Sequence, residues 1–493
     1  MPSDASAPVP TCGDTERRLH PFSWLFVLLT QLRQLALPLV ALLVFARGDR
    51  WELLGLVGAV GLSLYSLVYS FGFRYRLGRD ELVVREGVLG RTERHIAYAR
   101  IQNIVQQRNP LHRWFGVTEL RLESAGGARP EAVMTVITVA EAARIEAVLR
   151  GRRPGTDTAS PVPAAQPLLE LAADEVVRLG LVTNRGLVVV GAIVALVMQF
   201  DPGDARLLRR ATRGLGAFVD AFTPSVEALA AAVLLLLALA AVLKAFSVAV
   251  AVVAYHGFRL WRDGERLRTE TGLLTRRTAS ARRDKIQRVH VGETWLSRWL
   301  RRQWLSCDVA AGVQALNEAD TSRLRWLVPI GSADTVARVL ADVAPGVSLG
   351  TREWRRLHPR AWRRRFVGSA LRWTAASAAG SIVLGRWAAL MWAGAIAWAF
   401  FEARGWARFA GYSLDDEVLA VRAGWHARAW TLARVARGQV VVLRQSPFDR
   451  RHGMARVGLD TAGASATGLR LEVPYLAEGE ARAVFARLQQ GTR

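Results

Sequence analysis

The chain of 493 residues holds only two cysteines, Cys12 and Cys307, far apart and without metal-ligand spacing, so neither a disulfide framework nor a zinc site is expected. Lysine is nearly absent too, at Lys244 and Lys285 alone, although Lys and Arg together number 66 against 42 acids. A GC-rich codon bias accounts for Arg over Lys but not for the net charge of +24, which implies an anionic neighbour, nucleic acid or a membrane surface. No H-E-x-x-H, C-x-x-C, G-x-x-x-x-G-K-[ST] or G-x-S-x-G occurs, which removes the easily recognised hydrolase and nucleotide-binding constellations. The eight histidines are scattered singly, so no enzyme, cofactor or metal is expected. The first twenty residues lack a basic n-region with a cleavage site, and no signal peptide is read there.

What is abundant is segregated. Hydrophobic residues reach 51% beside 22% charge, and the two fall in separate blocks. Apolar stretches at 24–46, 53–71, 181–200, 226–253, 366–384 and 387–401 are expected to form six membrane spans in three hairpins. Most of the Arg lies in the segments between hairpins, which places those segments and both termini on the cytoplasmic side of a bacterial inner membrane. Arg33, Lys244 and Arg372 fall inside spans, where snorkelling or hydrogen bonding between helices outweighs a conduction role because no carboxylate accompanies them.

An internal repeat organises the rest. Residues 87–127 match 272–312 at an offset of 185 and 424–464 at an offset of 337, without gaps. Gly87, Gly272 and Gly424 coincide, as do Gln102, Gln287 and Gln439. Arg113-Trp114-Phe115-Gly116 lies over Arg298-Trp299-Leu300-Arg301 and over Arg450-Arg451-His452-Gly453. Short alternating runs between glycine turns predict antiparallel strands, and Thr138 with Glu141 forms a capping-box signature ahead of a terminal helix. Each copy therefore reads as a compact β barrel or sandwich closed by a helix.

The turn Gly, Arg100 to Val105, Leu111 to Gly116 and Ala125-Gly126, together with Leu19-His20-Pro21 and Leu357-His358-Pro359, make the chain resemble the bacterial pleckstrin-homology-like membrane proteins of the YdbT type. The third copy departs at Gly438 and His452, and the second at Arg301. The resemblance implies an α+β membrane protein in which six transmembrane helices alternate with three PH-like β-barrel domains. It also implies a partner membrane protein with a single such domain and a role in envelope homeostasis.

The expected units are a tail and hairpin at 1–71, domain 1 at 72–150, a Pro-rich linker at 151–180, hairpin 2 at 181–254 and domain 2 at 255–345. A basic segment at 346–365, hairpin 3 at 366–401 and domain 3 at 402–493 follow. Trp295, Arg298, Trp299, Arg301, Arg302, Trp354, Trp362, Arg363, Arg364 and Arg365 combine positive charge with interface-seeking indoles and are the candidate contacts to an anionic leaflet. Gln102, Gln287 and Gln439 are either ligand-binding or, the better-supported reading, structural. The leading functional expectation is a non-enzymatic scaffold of binding or homo-oligomerisation modules. The alternative is a lipid or small-molecule transport component, and nucleic acid is not an expected partner.

Overall fold

The computed structural model describes residues 16–26, 28–29, 57–58, 60–61, 64, 72–78, 80–87, 92–98, 101–124, 132–151, 167–184, 226–309, 325–384, 387–461 and 471–491. The first copy comprises β1 (Arg17–Arg18), β2 (Arg74–Leu77), β3 (Glu81–Glu86), β4 (Thr92–Ala97), β5 (Ile101–Arg108), α1 (Pro110–Trp114), β6 (Val117–Ser124), β7 (Ala132–Thr138) and α2 (Val139–Gly151). The second comprises β8 (Leu169–Glu170), α3 (Ala173–Val182), α4 (Val226–Tyr255), β9 (Arg259–Asp263), β10 (Arg266–Thr271), β11 (Arg276–Arg282), β12 (Ile286–Thr294), α5 (Trp295–Trp299), β13 (Gln303–Val309), β14 (Trp326–Gly331) and α6 (Ala333–Val343). The third comprises β15 (Arg355–Arg356), α7 (Ala361–Leu384), α8 (Trp387–Phe409), β16 (Gly411–Leu414), β17 (Val418–Gly424), β18 (Ala427–Arg434), β19 (Gly438–Arg444), α9 (Pro447–Arg451), β20 (Met454–Thr461), β21 (Glu472–Ala477) and α10 (Glu478–Gly491).

Alternation sets the faces. In β2, Tyr75 and Leu77 are buried while Arg74 is exposed, and in β7 Ala132, Met134 and Val136 point inward. The turn glycines at 87, 272 and 424 take φ values of 97°, 109° and 121°, and a Cβ at Gly272 or Gly424 would strike the carbonyl oxygen of Thr275 or Ala427. In the first copy, Leu82, Val84 and Ile96 of one sheet face Ile104, Leu120, Leu122 and Met134 of the other, and Ala142, Ile145 and Leu149 of α2 close the core.

The two sheets of a copy do not close into a barrel, which corrects that expectation. Strand orders are β1-β2-β3-β4, β7-β6-β5-β11-β10-β9-β8, β14-β13-β12-β18-β17-β16-β15 and β19-β20-β21. The second sheets of the first and second copies run on into the first sheet of the next copy, so the edge that would have sealed a barrel is taken by a neighbour. Both junctions use one register: Val105 lies opposite Ala279, and the repeat-equivalent His290 lies opposite Thr431. The cores merge as well, since Val418, Ala420 and Leu432 of the third copy belong to the core of the second.

The expectation of six spans is also overturned. Among the described residues one segment, Val233–Tyr255 of α4, is long and apolar enough to cross a membrane. Helices α7 and α8 form a pair, but α7 carries Arg363, Arg364, Arg365 and Arg372, and α8 carries Glu402, Arg404 and Arg408 among many Ala and Trp. Alanine and tryptophan lengthen a helix without giving it the transfer free energy of Leu, Ile or Val. The spans expected at 24–46, 53–71 and 181–200 lie, but for a few positions, outside the described residues, as does the stretch 152–166 of the linker, whereas its remainder holds β8 and most of α3. With six spans goes the assigned multi-pass inner-membrane location with both termini cytoplasmic.

Helices α3 and α4 pack closely at Gly180, where a Cβ would collide with the backbone of Val248. Lys244 donates to the carbonyls of Leu181 (2.8 Å) and Thr183 (3.4 Å) and to Asn184 Oδ1 (2.8 Å), which satisfies acceptors that the end of α3 leaves open. Gly180→Leu should force the two helices apart and destabilise the protein by about 1–3 kcal/mol. An unchanged melting temperature would show that this contact does not hold the pair.

Candidate functional site

The short helices α1, α5 and α9 occupy one repeat position and are built in similar ways. Thr294 and Ser446 cap α5 and α9 through reciprocal bonds with Ser297 and Asp449, while Pro110 and Pro447 begin α1 and α9. Each helix is followed by a left-handed residue, Gly116 (φ 66°), Arg301 (φ 53°) or Gly453 (φ 64°). Each presents a large apolar side chain outward: Trp114 is 83% exposed, Trp299 79%, Trp295 64% and Phe448 63%. Arg113, Arg301, Arg450 and Arg451 are exposed beside them.

In every copy this knob lies against the base of a helix preceding the sheets. In the first, the tilted rings of Phe26 and His112 meet with centroids 4.4 Å apart and those of Phe22 and Phe115 at 5.3 Å. Burial holds His112 below the usual histidine pKa, so the ring under Phe26 favours its neutral form. In the second, Arg302 binds Glu175 of α3 at 2.7 Å. In the third, Arg364 of α7 reaches Asp449 at 3.3 Å and lies 5.2 Å from the Phe448 ring.

Of the ten residues expected at a lipid surface, Trp295, Trp299, Arg301 and Arg363 face outward. The others are engaged within the protein. Arg298 donates to the His426 carbonyl at 3.3 Å, and Arg365 pairs with Glu402 at 2.6 Å and lies 4.5 Å from the Trp406 ring. Trp354 packs on the core of the second copy beneath Arg422, and Trp362 lies between Arg404 and Phe400. Sequence reasoning passed over Trp114 and Phe448. The signal was the offset itself, since Trp114 aligns with Trp299 and Phe448 with Leu111, which is 40% exposed.

The repeated glutamines mark a backbone feature. Pairing between the first two strands of each second sheet slips between Ile101 and Asn103, between Ile286 and Arg288, and between Gly438 and Val440, so Gln102, Gln287 and Gln439 each sit at a β-bulge. The Gln287 side chain is buried, donates to the Lys285 carbonyl at 3.4 Å and lines a cleft of about 190 Å³ between the second and third copies, whereas Gln439 is exposed. Arg372 bonds Ser369 at 3.1 Å, and Arg33 lies outside the described residues.

A family model described as Bacterial PH domain matches residues 25–153, 213–344 and 365–492, one match per copy. The chain belongs to the Bacterial PH domain family. It is similar to the UPF0699 transmembrane protein YdbT of Bacillus subtilis (strain 168), 22% identical over 388 residues that cover 72% of this chain and 74% of the relative. No solved structure matches. In this Bacterial PH domain protein none of the four hydrolase, redox-metal and nucleotide-binding motifs sought above occurs, and among the described residues no group of His, Cys, Asp or Glu is placed to hold a metal.

Two of its three PH domains share an internal lock. Arg17 of β1 bonds Glu141 of α2 at 2.6 Å beside the buried Tyr75, and the equivalent Tyr412 donates to Glu480 of α10 at 2.6 Å beside Arg355 of β15. Burial and then the Glu480 carboxylate push the Tyr412 hydroxyl up to about 12. Tyr412→Phe should therefore cost about 1–3 kcal/mol in denaturant unfolding, the worth of a hydrogen bond to a charged group. Arg301→Gly should act oppositely and stabilise by about 1 kcal/mol, because it relieves the left-handed strain that the other two copies avoid with glycine. A destabilised Arg301→Gly protein would mean that the Arg301 side chain makes a contact worth more than that strain.

Proposed function

We propose that the protein is a membrane-attached, non-enzymatic scaffold whose three PH domains stand in a row on an anionic membrane face. The observation that carries this reading is the exposed aromatic knob repeated in each copy, with Arg beside it, at the base of the helix that precedes each domain. Indole and guanidinium groups favour the headgroup zone, the first by amphipathicity and the second by attraction to anionic lipid. The apolar segment Val233–Tyr255, with Leu234, Leu235 and Leu237 exposed, supports attachment to the bilayer. A membrane protein with a single such domain, implied by the family resemblance, is a fitting client for the scaffold. A conduit lined by Arg33, Lys244 and Arg372 gains no support, since Lys244 and Arg372 are engaged in local hydrogen bonds.

The test places spin labels at Trp114→Cys, Trp299→Cys and Phe448→Cys in the full chain, in a Cys12→Ser background, reconstituted into vesicles with and without phosphatidylglycerol. All three labels should be more accessible to oxygen dissolved in lipid than to an aqueous nickel chelate. A label at the exposed Arg338 of α6 supplies the aqueous reference. Changing Arg113, Arg301 and Arg450 to Gln should weaken the preference for anionic lipid by about 1 kcal/mol per residue, and 0.5 M salt, with a screening length of about 4 Å, should do the same. Labels as water-exposed as the one at residue 338 would rule the membrane-facing row out.

A further inference from the structure

The row of copies has two ends, and the two end sheets carry the same two kinds of edge that pair at the internal junctions. Strand β4 is the repeat equivalent of β11 and β18, and β19 is the equivalent of β5 and β12. Among the described residues β4 pairs with β3 alone and β19 with β20 alone. The difference shows in burial. Val440 is 52% exposed where its equivalent Arg288 is 3%, and Leu443 is 37% exposed where Val291 is 0%.

We propose that β19 of one molecule pairs antiparallel with β4 of a second copy, continuing from chain to chain the sheet that already joins copy to copy within the chain. The register follows from the internal junctions. Val105 opposite Ala279 and His290 opposite Thr431 are one repeat position, and carrying it forward sets Val442 opposite Arg94, Val440 opposite Ile96 and Leu443 opposite Glu93. Every position from Val440 to Arg444 then finds a partner between Ile96 and Thr92, as Arg288 to Gly292 find theirs between Ala433 and Ala429.

Two features favour this occupant. The edge Val440-Val441-Val442-Leu443 is apolar, with Val440 and Leu443 exposed and Val441 and Val442 half-buried, the kind of strand that soluble proteins cover or blunt. Strand β4 bears charge, but so do its paired equivalents, with Arg276, Arg277 and Arg282 on β11 and Arg428 and Arg434 on β18. Side chains on β4 also turn back onto their own sheet: Glu93 bonds Arg85 at 3.0 Å and His95 bonds Glu81 at 2.9 Å. Such a contact joins two different surfaces, so it is heterologous and propagates into rings or filaments rather than stopping at a symmetric dimer.

This deepens the scaffold reading but uses strand edges instead of the aromatic knobs, so multimers without lipid contact, or lipid contact without multimers, tell the two apart. The experiment uses full-length protein in a Cys12→Ser background, since Cys307 is buried. Chains bearing Glu93→Cys and chains bearing Leu443→Cys are mixed and oxidised. The expected result is a disulfide-linked dimer in the mixture and in neither chain alone, and a ladder of higher multimers when one chain carries both substitutions. Pairing Glu93→Cys with Gln439→Cys, four positions out of register, should lose the product at least tenfold. Dimers of Leu443→Cys alone, equal yield from the off-register pair, or only an intramolecular disulfide in the double variant would each overturn the proposal. Leu443→Pro, which removes a backbone donor from the outer edge, since Val442 bonds inward to Gly458, should reduce the mass by light scattering to that of one chain, and unchanged multimers in this variant would also overturn it.

Discussion

Hydrogen bonding between the strands of successive copies is the constraint on which the rest of the structure depends. A PH-like unit of about eighty residues has a small core and several strand edges, and an edge left open exposes a row of backbone donors and acceptors. Here β5 takes β11 and β12 takes β18, so each internal edge is satisfied by the next copy. The result behaves less like three beads than like a short solenoid, in which stability comes from the interfaces as much as from the units. The second copy illustrates this, because part of its core is supplied by Val418, Ala420 and Leu432 of the third.

That pairing also fixes where the helices stand. The two-residue strands β1, β8 and β15 bind the first full strand of each copy, and the backbone NH groups of His20 and His358 bond the carbonyls of Val136 and Tyr475. The segment leading into each helix is thus sewn to the sheet, and α1, α5 and α9 abut the helix bases in all three copies. A fixed translation along the sheet becomes a fixed spacing of aromatic knobs. The proposed contact with a second copy would extend that spacing beyond one molecule without any new kind of interaction.

Much of this was legible in the residues. The offsets of 185 and 337 placed the turn glycines, the bulged glutamines and the short helices in common columns, because a turn that needs positive φ or a strand that needs an extra residue tolerates few substitutes. None of the recognised hydrolase or nucleotide-binding motifs occurs in the chain. Less legible was the fate of each charged side chain: Arg302, Arg364 and Arg365 look like a lipid-facing cluster in sequence, yet each meets a carboxylate from a distant segment, Glu175, Asp449 or Glu402.

The sequence by itself determined the repeat, its strands and terminal helices, the excess of Arg and the family, since local periodicity and composition encode all of these. Only the tertiary structure decided which edges pair. A strand's alternation specifies its two faces but not its neighbour, so the same pattern is compatible with a closed barrel or with a sheet shared between copies. Only the structure, likewise, set Arg365 of α7 against Glu402 of α8 and Arg302 against Glu175, because charge partners distant in sequence are chosen by the fold that brings them together.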